Sequence, residues 1–304
     1  NQLAYAPEQI VISNGAKHSL YNVFVTICQD GDEVIILGPW WLSYPEMVLM
    51  AGAKPVFLPG DEAKGFKVSP AELEKAITSK TRALIINSPS NPTGVVYTRG
   101  EQEAFARIAV KHGLYIVSDE IYEKMVYDGA EHFSIGSTSK EVLDRTITVN
   151  GFSKAYAMTG WRLGYFAGPK AIVDAVCAFQ SHSTSGPNTF AQHGAVEALR
   201  GPQACVAKMV AAFDERRHYI YERFMRISGV TCVKPTGAFY VLPNISSFGM
   251  EPLEFGEKLL KQEGVAVVPG APFGADKYVR LSYACSMEQI RQGLDRFESF
   301  CKSL

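Results

Sequence analysis

Short apolar runs that recur between helical segments are the feature that most constrains the fold of this chain. Five such runs, each followed within two residues by Gly, Pro, Asn or Asp, lie at 34–37, 55–58, 83–86, 114–117 and 146–149. Runs of this kind indicate strands that are buried on both faces. Between them, Ser69-Pro70-Ala71-Glu72 and Thr98-Arg99-Gly100-Glu101 have the pattern of helix capping boxes. The alternation predicts an α/β fold with a mainly parallel, doubly wound sheet.

The pattern changes after Arg200-Gly201-Pro202, where a long charged helix is predicted over residues 203–227. Shorter elements follow it: strands near 231–233, 238–242, 265–268 and 278–282, a helix near 251–263, and a last helix opened by Ser286. We therefore expect a large domain over residues 1–202. Residues 203–304 would form the connecting helix and a smaller α+β domain.

Composition excludes several classes of partner. The 30 Lys+Arg and 31 Asp+Glu residues give a net charge of −1, so no global field would attract nucleic acid or a membrane surface. The six cysteines are spaced singly, which indicates a reducing, cytoplasmic setting. The histidines form no metal-binding motif, so no metal is expected.

Common nucleotide and hydrolase motifs are absent: the chain has no GxGxxG after a strand, no GxxxxGK[ST] and no GxSxG. Candidate residues therefore have to be sought at the ends of the buried strands, where open α/β sheets bind ligands. Asp119 follows the run 114–117, with Tyr122 close behind. Either Asp119 caps a following helix, or it is a buried acid that awaits a cationic partner.

Two loops after strands have the character of ligand-binding segments. In Ser88–Gly94, two prolines fix an irregular loop, and Asn91 before Pro92 is either part of a plain turn or an amide held over a ligand; the Asn-Pro bond is a candidate for the cis form. In Ser13–Lys17, a helix begins after the strand 10–12, and its free N–H groups at Gly15, Ala16 and Lys17 suit a phosphate or carboxylate. A lysine in that first turn opposes the helix dipole unless an anion is present.

Aromatic and basic residues complete the set. Trp41 follows a strand, where its ring is either core or a stacking surface for a planar ligand. Arg280 lies inside a predicted strand, which suits an ion pair or a bidentate clamp for a carboxylate. Taken together, these residues favour an aromatic phosphate that acts on an amino acid.

The stretch NGFSKAYAMTGWRLGY, residues 150–165, contains Lys154 and Arg162 but no acid. With SPSNPTG, SDEIYE and YVRLSYA, it resembles the class I/II aminotransferases, pyridoxal-phosphate (PLP) enzymes of fold type I. The resemblance extends over essentially the whole chain. It is closest to the subgroup of aspartate and aspartate/glutamate–prephenate aminotransferases.

The resemblance implies a role for each of these residues. Lys154 would form the Schiff base with PLP and move the proton in catalysis; its ordinary pKa of about 10.4 has to fall, and surroundings without acids favour that. Asp119 would pair with the pyridine nitrogen. Arg162, together with the helix start at Gly15, Ala16 and Lys17, would bind the phosphate.

The resemblance also implies substrate contacts. Tyr122 and Asn91 would hydrogen-bond the ring hydroxyl, and Trp41 would stack on the ring. Arg280, with Asn91, would bind the substrate α-carboxylate. Lys17 occupies the place that contacts the distal carboxylate of acidic substrates in the subgroup, which favours aspartate, glutamate and their oxo acids, with prephenate as an additional acceptor. The alternatives are an enzyme for alanine, kynurenine or aromatic amino acids, or a non-catalytic PLP-binding module.

Two departures from the family pattern are visible. The family has a further segment before the point at which this sequence begins, so the large domain is expected to be incomplete at its N-terminus. Gly151 stands where many relatives have a serine. The resemblance also implies a homodimer with shared active sites, in which the loop 185–188 would lie near the interface.

Overall fold

The computed structural model describes residues 1–304 and contains one large sheet whose strands are separated by helices. Its seven strands are β1 Ile10–Ser13, β2 Glu33–Leu37, β3 Lys54–Leu58, β4 Thr81–Asn87, β5 Tyr115–Asp119, β6 Thr146–Gly151 and β7 Gly164–Ala167. The order across the sheet is β1-β7-β6-β5-β4-β2-β3. The pairs from β3 to β6 are parallel, and β7 is antiparallel to both of its neighbours. The predicted α/β class is confirmed.

Helices pack on both faces of this sheet. They are α1 Ala16–Ile27, α2 Ser43–Met50, α3 Pro70–Ala76, α4 Arg99–His112, α5 Lys140–Leu143, α6 Lys170–Ser181 and α7 Thr189–Arg200. The capping boxes predicted at Ser69 and Thr98 are present, since each side-chain oxygen accepts the N–H of the glutamate three residues later. Buried residues of α1, α2 and α6 form one core layer with the strands, and α3 and α4 contribute to a second. The parallel strands are consequently buried on both faces, as their apolar runs predict.

The C-terminal part contains α8 Ala204–Phe224, α9 Pro252–Glu263 and α10 Met287–Lys302, with the short strands β8 Tyr240–Val241, β9 Val268–Pro269 and β10 Val279–Ser282. The three strands form a separate antiparallel sheet in the order β8-β10-β9. The last helix begins after Ser286, which caps it as predicted. No helix is at once long enough and apolar enough to cross a membrane.

Several predicted boundaries were wrong. The run 231–233 is not a strand, because only Thr231 pairs, in an isolated bridge with Asn244. The predicted strand 238–242 shrinks to β8, and the prediction 265–268 overlaps β9, Val268–Pro269, at residue 268 only. In the large sheet, β7 was missed, because it is short, starts at a glycine and follows directly on the Lys154 stretch.

Candidate active site

A cavity of about 470 Å³ lies at the C-terminal ends of the parallel strands. Nine of the ten residues predicted for the site line it: Ala16, Lys17, Trp41, Asn91, Asp119, Tyr122, Lys154, Arg162 and Arg280. The tenth, Gly15, is the N-cap of α1 and directly precedes Ala16. Because parallel strands end at the same edge of a sheet, residues far apart in sequence meet there.

Asp119 is the last residue of β5 and is buried. Its Oδ2 accepts a hydrogen bond from the Tyr44 hydroxyl at 2.7 Å, and its Oδ1 accepts one from the Ile121 N–H at 3.2 Å. Burial raises the pKa of this carboxyl to about 6, although both hydrogen bonds favour the charged form. No helix begins at Asp119, so the alternative of a helix cap is wrong. The carboxyl group is a buried acid at the floor of the cavity.

Lys154 lies in the turn after β6, and its amine faces aromatic rings. Its Nζ is 5.4 Å from the Phe239 ring centroid and 5.8 Å from that of Tyr122. Desolvation lowers the pKa of the amine, and the charges of Arg280 and Arg162 lower it further, whereas Asp119 raises it. The sequence indicated that no acid lies near Lys154. This is true of its neighbours in the chain but not of its neighbours in space, because Asp119 lies close enough to affect it. The net direction is still toward a less basic amine.

The start of α1 and the guanidinium of Arg162 lie side by side and form what is called the phosphate cradle here. Gly15 adopts φ +90°, no side chain caps the helix, and the first turn contains no acidic residue. A Cβ at Gly15 would lie 2.5 Å from Arg162 Nη2, so only glycine leaves room for that guanidinium. Arg162 itself has φ +50° and donates to the Thr159 carbonyl at 2.8 Å. Free N–H groups at a helix start and a guanidinium together suit a phosphate.

Gly151 lies at the end of β6, close to this cradle. A Cβ added there would come within 3.1 Å of the Gly164 Cα and the Ile121 Cδ1. A serine at this position would therefore require its neighbours to shift. This chain has no hydroxyl at position 151, so a phosphate at this cradle would be held by the start of α1 and by Arg162.

Asn91 and Arg280 meet across the cavity. Arg280 Nη1 donates to Asn91 Oδ1 at 2.9 Å, and the Arg280 guanidinium lies 4.7 Å from the Tyr240 ring and 4.8 Å from the Phe273 ring. The Asn91-Pro92 bond is cis. Arg280 Nε is buried and has no hydrogen-bond partner. This guanidinium is held in place by its surroundings but keeps donors for an incoming carboxylate.

Lys17 and Trp41 form the outer wall. The amine of Lys17 is 4.9 Å from the Trp41 ring centroid, and the side chain is exposed. Lys17 makes no ion pair, so its positive charge is available to a ligand in the cavity.

The whole chain matches known proteins of one family. Residues 1–297 match the family described as aminotransferase class I and II. The chain belongs to this family of aminotransferases. It is 48% identical to an aspartate aminotransferase of Bacillus sp. (strain YM-2) over 99% of its own length and 78% of that protein. It is 46% identical to an aspartate/prephenate aminotransferase of Thermus thermophilus over 98% of its own length and 76% of that protein. The solved structure of an aromatic aminotransferase from Pyrococcus horikoshii superposes with a TM-score of 0.96 at 41% identity, covering 100% of this chain and 82% of that one.

This aminotransferase is PLP-dependent, as its family is, and the cavity fits the cofactor. The cradle that needs a glycine at position 15 suits the phosphate, and the buried Asp119 suits the pyridine nitrogen. The amine of Lys154, with its lowered pKa, suits the aldehyde. Both charged ends of the cofactor would therefore meet a group of opposite charge.

Sequence reasoning missed three residues of this aminotransferase site. Tyr44 bonds to Asp119, and Tyr240 brings its hydroxyl to 3.0 Å from that of Tyr122. Asn87 connects two site elements, since it donates to the Asp119 carbonyl at 3.0 Å and accepts the Asn91 N–H at 2.8 Å. Asn87 could have been predicted from the sequence, because it is a polar residue at the end of an apolar strand. For Tyr44 and Tyr240, no local pattern marks the side chain.

Two clusters of acids and histidines lie outside this site: Glu120, Glu123 and His132, and Asp128, Asp214 and His218. In the first, Glu120 Oε1 accepts from Ser118 and Ser134, and Oε2 pairs with His132. In the second, the carboxylates bind Arg217. The carboxylate oxygens of Glu120 and Asp128 are thus already bound by protein donors.

Proposed function

We propose that this aminotransferase transfers the amino group of an acidic L-amino acid, aspartate or glutamate, to a 2-oxo acid, with prephenate as a further acceptor. One observation carries the proposal: Arg280 and Lys17 line the same cavity, and neither is in an ion pair. Two free cations match the two carboxylates of an acidic substrate. The aspartate and aspartate/prephenate aminotransferases among the relatives support the same choice.

The residues would act as follows. PLP, when bound, supplies an aldehyde that condenses with primary amines and a ring that accepts electrons. Lys154 Nζ, with its lowered pKa, would accept the proton from the substrate Cα and deliver it to the C4′ carbon of the cofactor. Asp119, hydrogen-bonded to Tyr44 and shielded from water, would stabilise a proton on the ring nitrogen.

The remaining residues bind and orient. Arg162 and the start of α1 would hold the phosphate, and Trp41 would stack on the ring. Asn91 and Tyr122 would bind the ring hydroxyl. Arg280, braced by Asn91 at 2.9 Å, binds the α-carboxylate, and this places the substrate Cα near Lys154.

The experiment that tests this proposal measures turnover for a panel of amino donors: aspartate, glutamate, alanine, kynurenine and phenylalanine. We expect the acidic donors to be preferred, and Lys17→Ala to lower kcat/KM for aspartate by about tenfold or more, the loss of one charged hydrogen bond. The matched control is Lys75→Ala on α3, an exposed lysine far from the cavity. If Lys17→Ala leaves aspartate turnover unchanged, or if phenylalanine is the best donor, the acidic specificity is wrong.

Assembly and location are part of the same proposal. Three of the four residues of the loop 185–188 are exposed, as are Phe190, Leu199 and Trp161, which supports a homodimer interface along α7. All strands of the large sheet precede residue 202 in the sequence, and all strands of the small sheet follow it, which supports a domain boundary there. All six cysteines are free, which suits a cytoplasmic location. Sedimentation of the purified protein measures the assembly directly.

A further inference from the structure

Arg217 on α8 is fully buried, which is rare for an arginine. Its Nη2 and Nη1 bind both oxygens of Asp128, at 2.7 and 2.9 Å, and its Nε binds Asp214 at 2.8 Å. Nη1 also donates to the Pro235 carbonyl at 2.9 Å. This guanidinium therefore joins α8, the turn at Asp128 and the chain at Pro235.

Pro235 begins a segment, residues 235–240, that runs from this network into the cavity and is called the crossing segment here. Its N–H groups at Thr236 and Gly237 both donate to the Gly94 carbonyl, at 2.9 and 2.7 Å. Gly94 ends the loop that carries Asn91. A Cβ on Gly237 would come within 2.6 Å of Pro89, so the crossing segment packs on that loop without spare room.

The middle of the crossing segment is fixed by a second set of bonds. Ala238 adopts φ +57°, and its carbonyl accepts the hydroxyls of Tyr127 at 2.6 Å and Tyr283 at 3.2 Å. The Tyr127 ring lies 4.9 Å from the Arg217 guanidinium. Arg217 thus contacts the segment at Pro235 and also contacts the side chain that holds Ala238.

The end of the crossing segment enters the active site. Tyr240 lies against Arg280, with 4.7 Å between ring centroid and guanidinium, and its hydroxyl meets Tyr122. Arg280 is therefore held on one side by Tyr240 and on the other by Asn91, and both supports are attached to the crossing segment.

We propose that Arg217 and Asp128 are positioning residues for Arg280: by fixing the crossing segment, they set the place at which the substrate carboxylate binds. This proposal rests on the proposed function, in which Arg280 binds the α-carboxylate. The Arg217 side chain is fully buried, whereas its partners Asp128 and Asp214 are partly exposed. A buried arginine charge is costly to maintain, and an apolar replacement often serves stability as well. The presence of the Arg217 network beside the crossing segment therefore favours a role in positioning that segment.

The test compares Asp128→Asn and Arg217→Met with Arg223→Met. Arg223 is a matched control because it lies on the same helix and also binds two acids, Asp295 at 2.7 Å and Glu298 at 3.2 Å, but does not contact the crossing segment. For each PLP-loaded variant, we would measure unfolding, the visible cofactor band, kcat and KM for the preferred donor, and the affinity for succinate as a carboxylate probe.

We expect Asp128→Asn and Arg217→Met to raise KM and the succinate dissociation constant about tenfold, with the cofactor band nearly unchanged, because the crossing segment supports Arg280 and not the groups that would hold the cofactor. Arg223→Met is expected to change stability alone. If Asp128→Asn keeps the wild-type KM and succinate affinity, the proposal is overturned. This result decides the matter even if Arg217→Met fails to fold. Every amino donor carries an α-carboxylate, so the KM test holds for whichever donor the wild type prefers. A wild type that transaminates no donor would instead refute the proposed function.

Discussion

The hydrogen bond from Tyr44 to Asp119 allows a quantitative prediction. Both side chains are buried, and the donor–acceptor distance is 2.7 Å. Replacing Tyr44 with phenylalanine removes a hydrogen bond to a charged group, worth about 1.5–3 kcal/mol. Since one pKa unit corresponds to about 1.4 kcal/mol, the pKa of Asp119 in the cofactor-free protein should rise from about 6 by roughly one to two units.

The sign of the effect on stability follows from linkage. The pKa of Asp119 is higher in the folded chain than its unfolded value of about 3.9, so the folded protein holds this proton more tightly. The stability it contributes is complete below about pH 4 and is lost as the pH rises to about 6. In Tyr44→Phe the pKa of Asp119 is higher still, so stability continues to fall up to a higher pH than in the wild type. The difference in unfolding free energy between variant and wild type should therefore increase by about 1.5–3 kcal/mol between pH 5 and pH 8.

Urea unfolding of the cofactor-free protein across this pH range measures the difference. Tyr21→Phe on α1 is the control, because the Tyr21 hydroxyl makes no hydrogen bond and the residue is outside the cavity. A difference between Tyr44→Phe and wild type that is constant with pH would refute the reasoning, since the lost bond would then not be tied to the ionised form of Asp119.

Two further predictions concern the phosphate cradle and the carboxylate clamp. Gly15→Ala should weaken PLP binding about tenfold in an absorbance titration, because its Cβ displaces Arg162 and φ +90° is strained for alanine. Gly160→Ala, where nothing lies within 4 Å, should bind normally, and equal affinities would disprove the cradle. Asn91→Ala should raise KM for the amino donor about tenfold, because Arg280 loses its acceptor at 2.9 Å. An unchanged KM would show that Arg280 is oriented without Asn91.

The elements that could be predicted from sequence were those with a local signal. Runs such as 34–37 and 146–149 are apolar because both faces of the strand are buried, and the capping box at Ser69 has its own spacing. Asp119 and Asn91 could be found as polar residues that follow such runs. The edge strands of the small sheet could not be predicted from the sequence, because β8 and β9 are only two residues long and depend on pairing with β10.

Other features depend on contacts between distant residues. Tyr44 and Asp119 are 75 positions apart, and Tyr122 and Tyr240 are 118 apart, so neither pair leaves a pattern in the sequence. The effect of Asp119 on the Lys154 amine is of the same kind: the stretch around Lys154 lacks acids, but β5 brings one from outside it. Arg217 looks like one more charge on a long helix until the fold buries it.

The central claim is that Lys154 carries the cofactor, and reductive trapping tests it most directly. The PLP-loaded protein would be treated with borohydride, which converts a lysine–PLP bond to a stable secondary amine, then digested and mapped by mass. We predict one modified lysine, Lys154, and no lysine–PLP bond that borohydride can trap in Lys154→Ala. Modification at another lysine, or a trapped lysine–PLP bond in Lys154→Ala, would contradict the account.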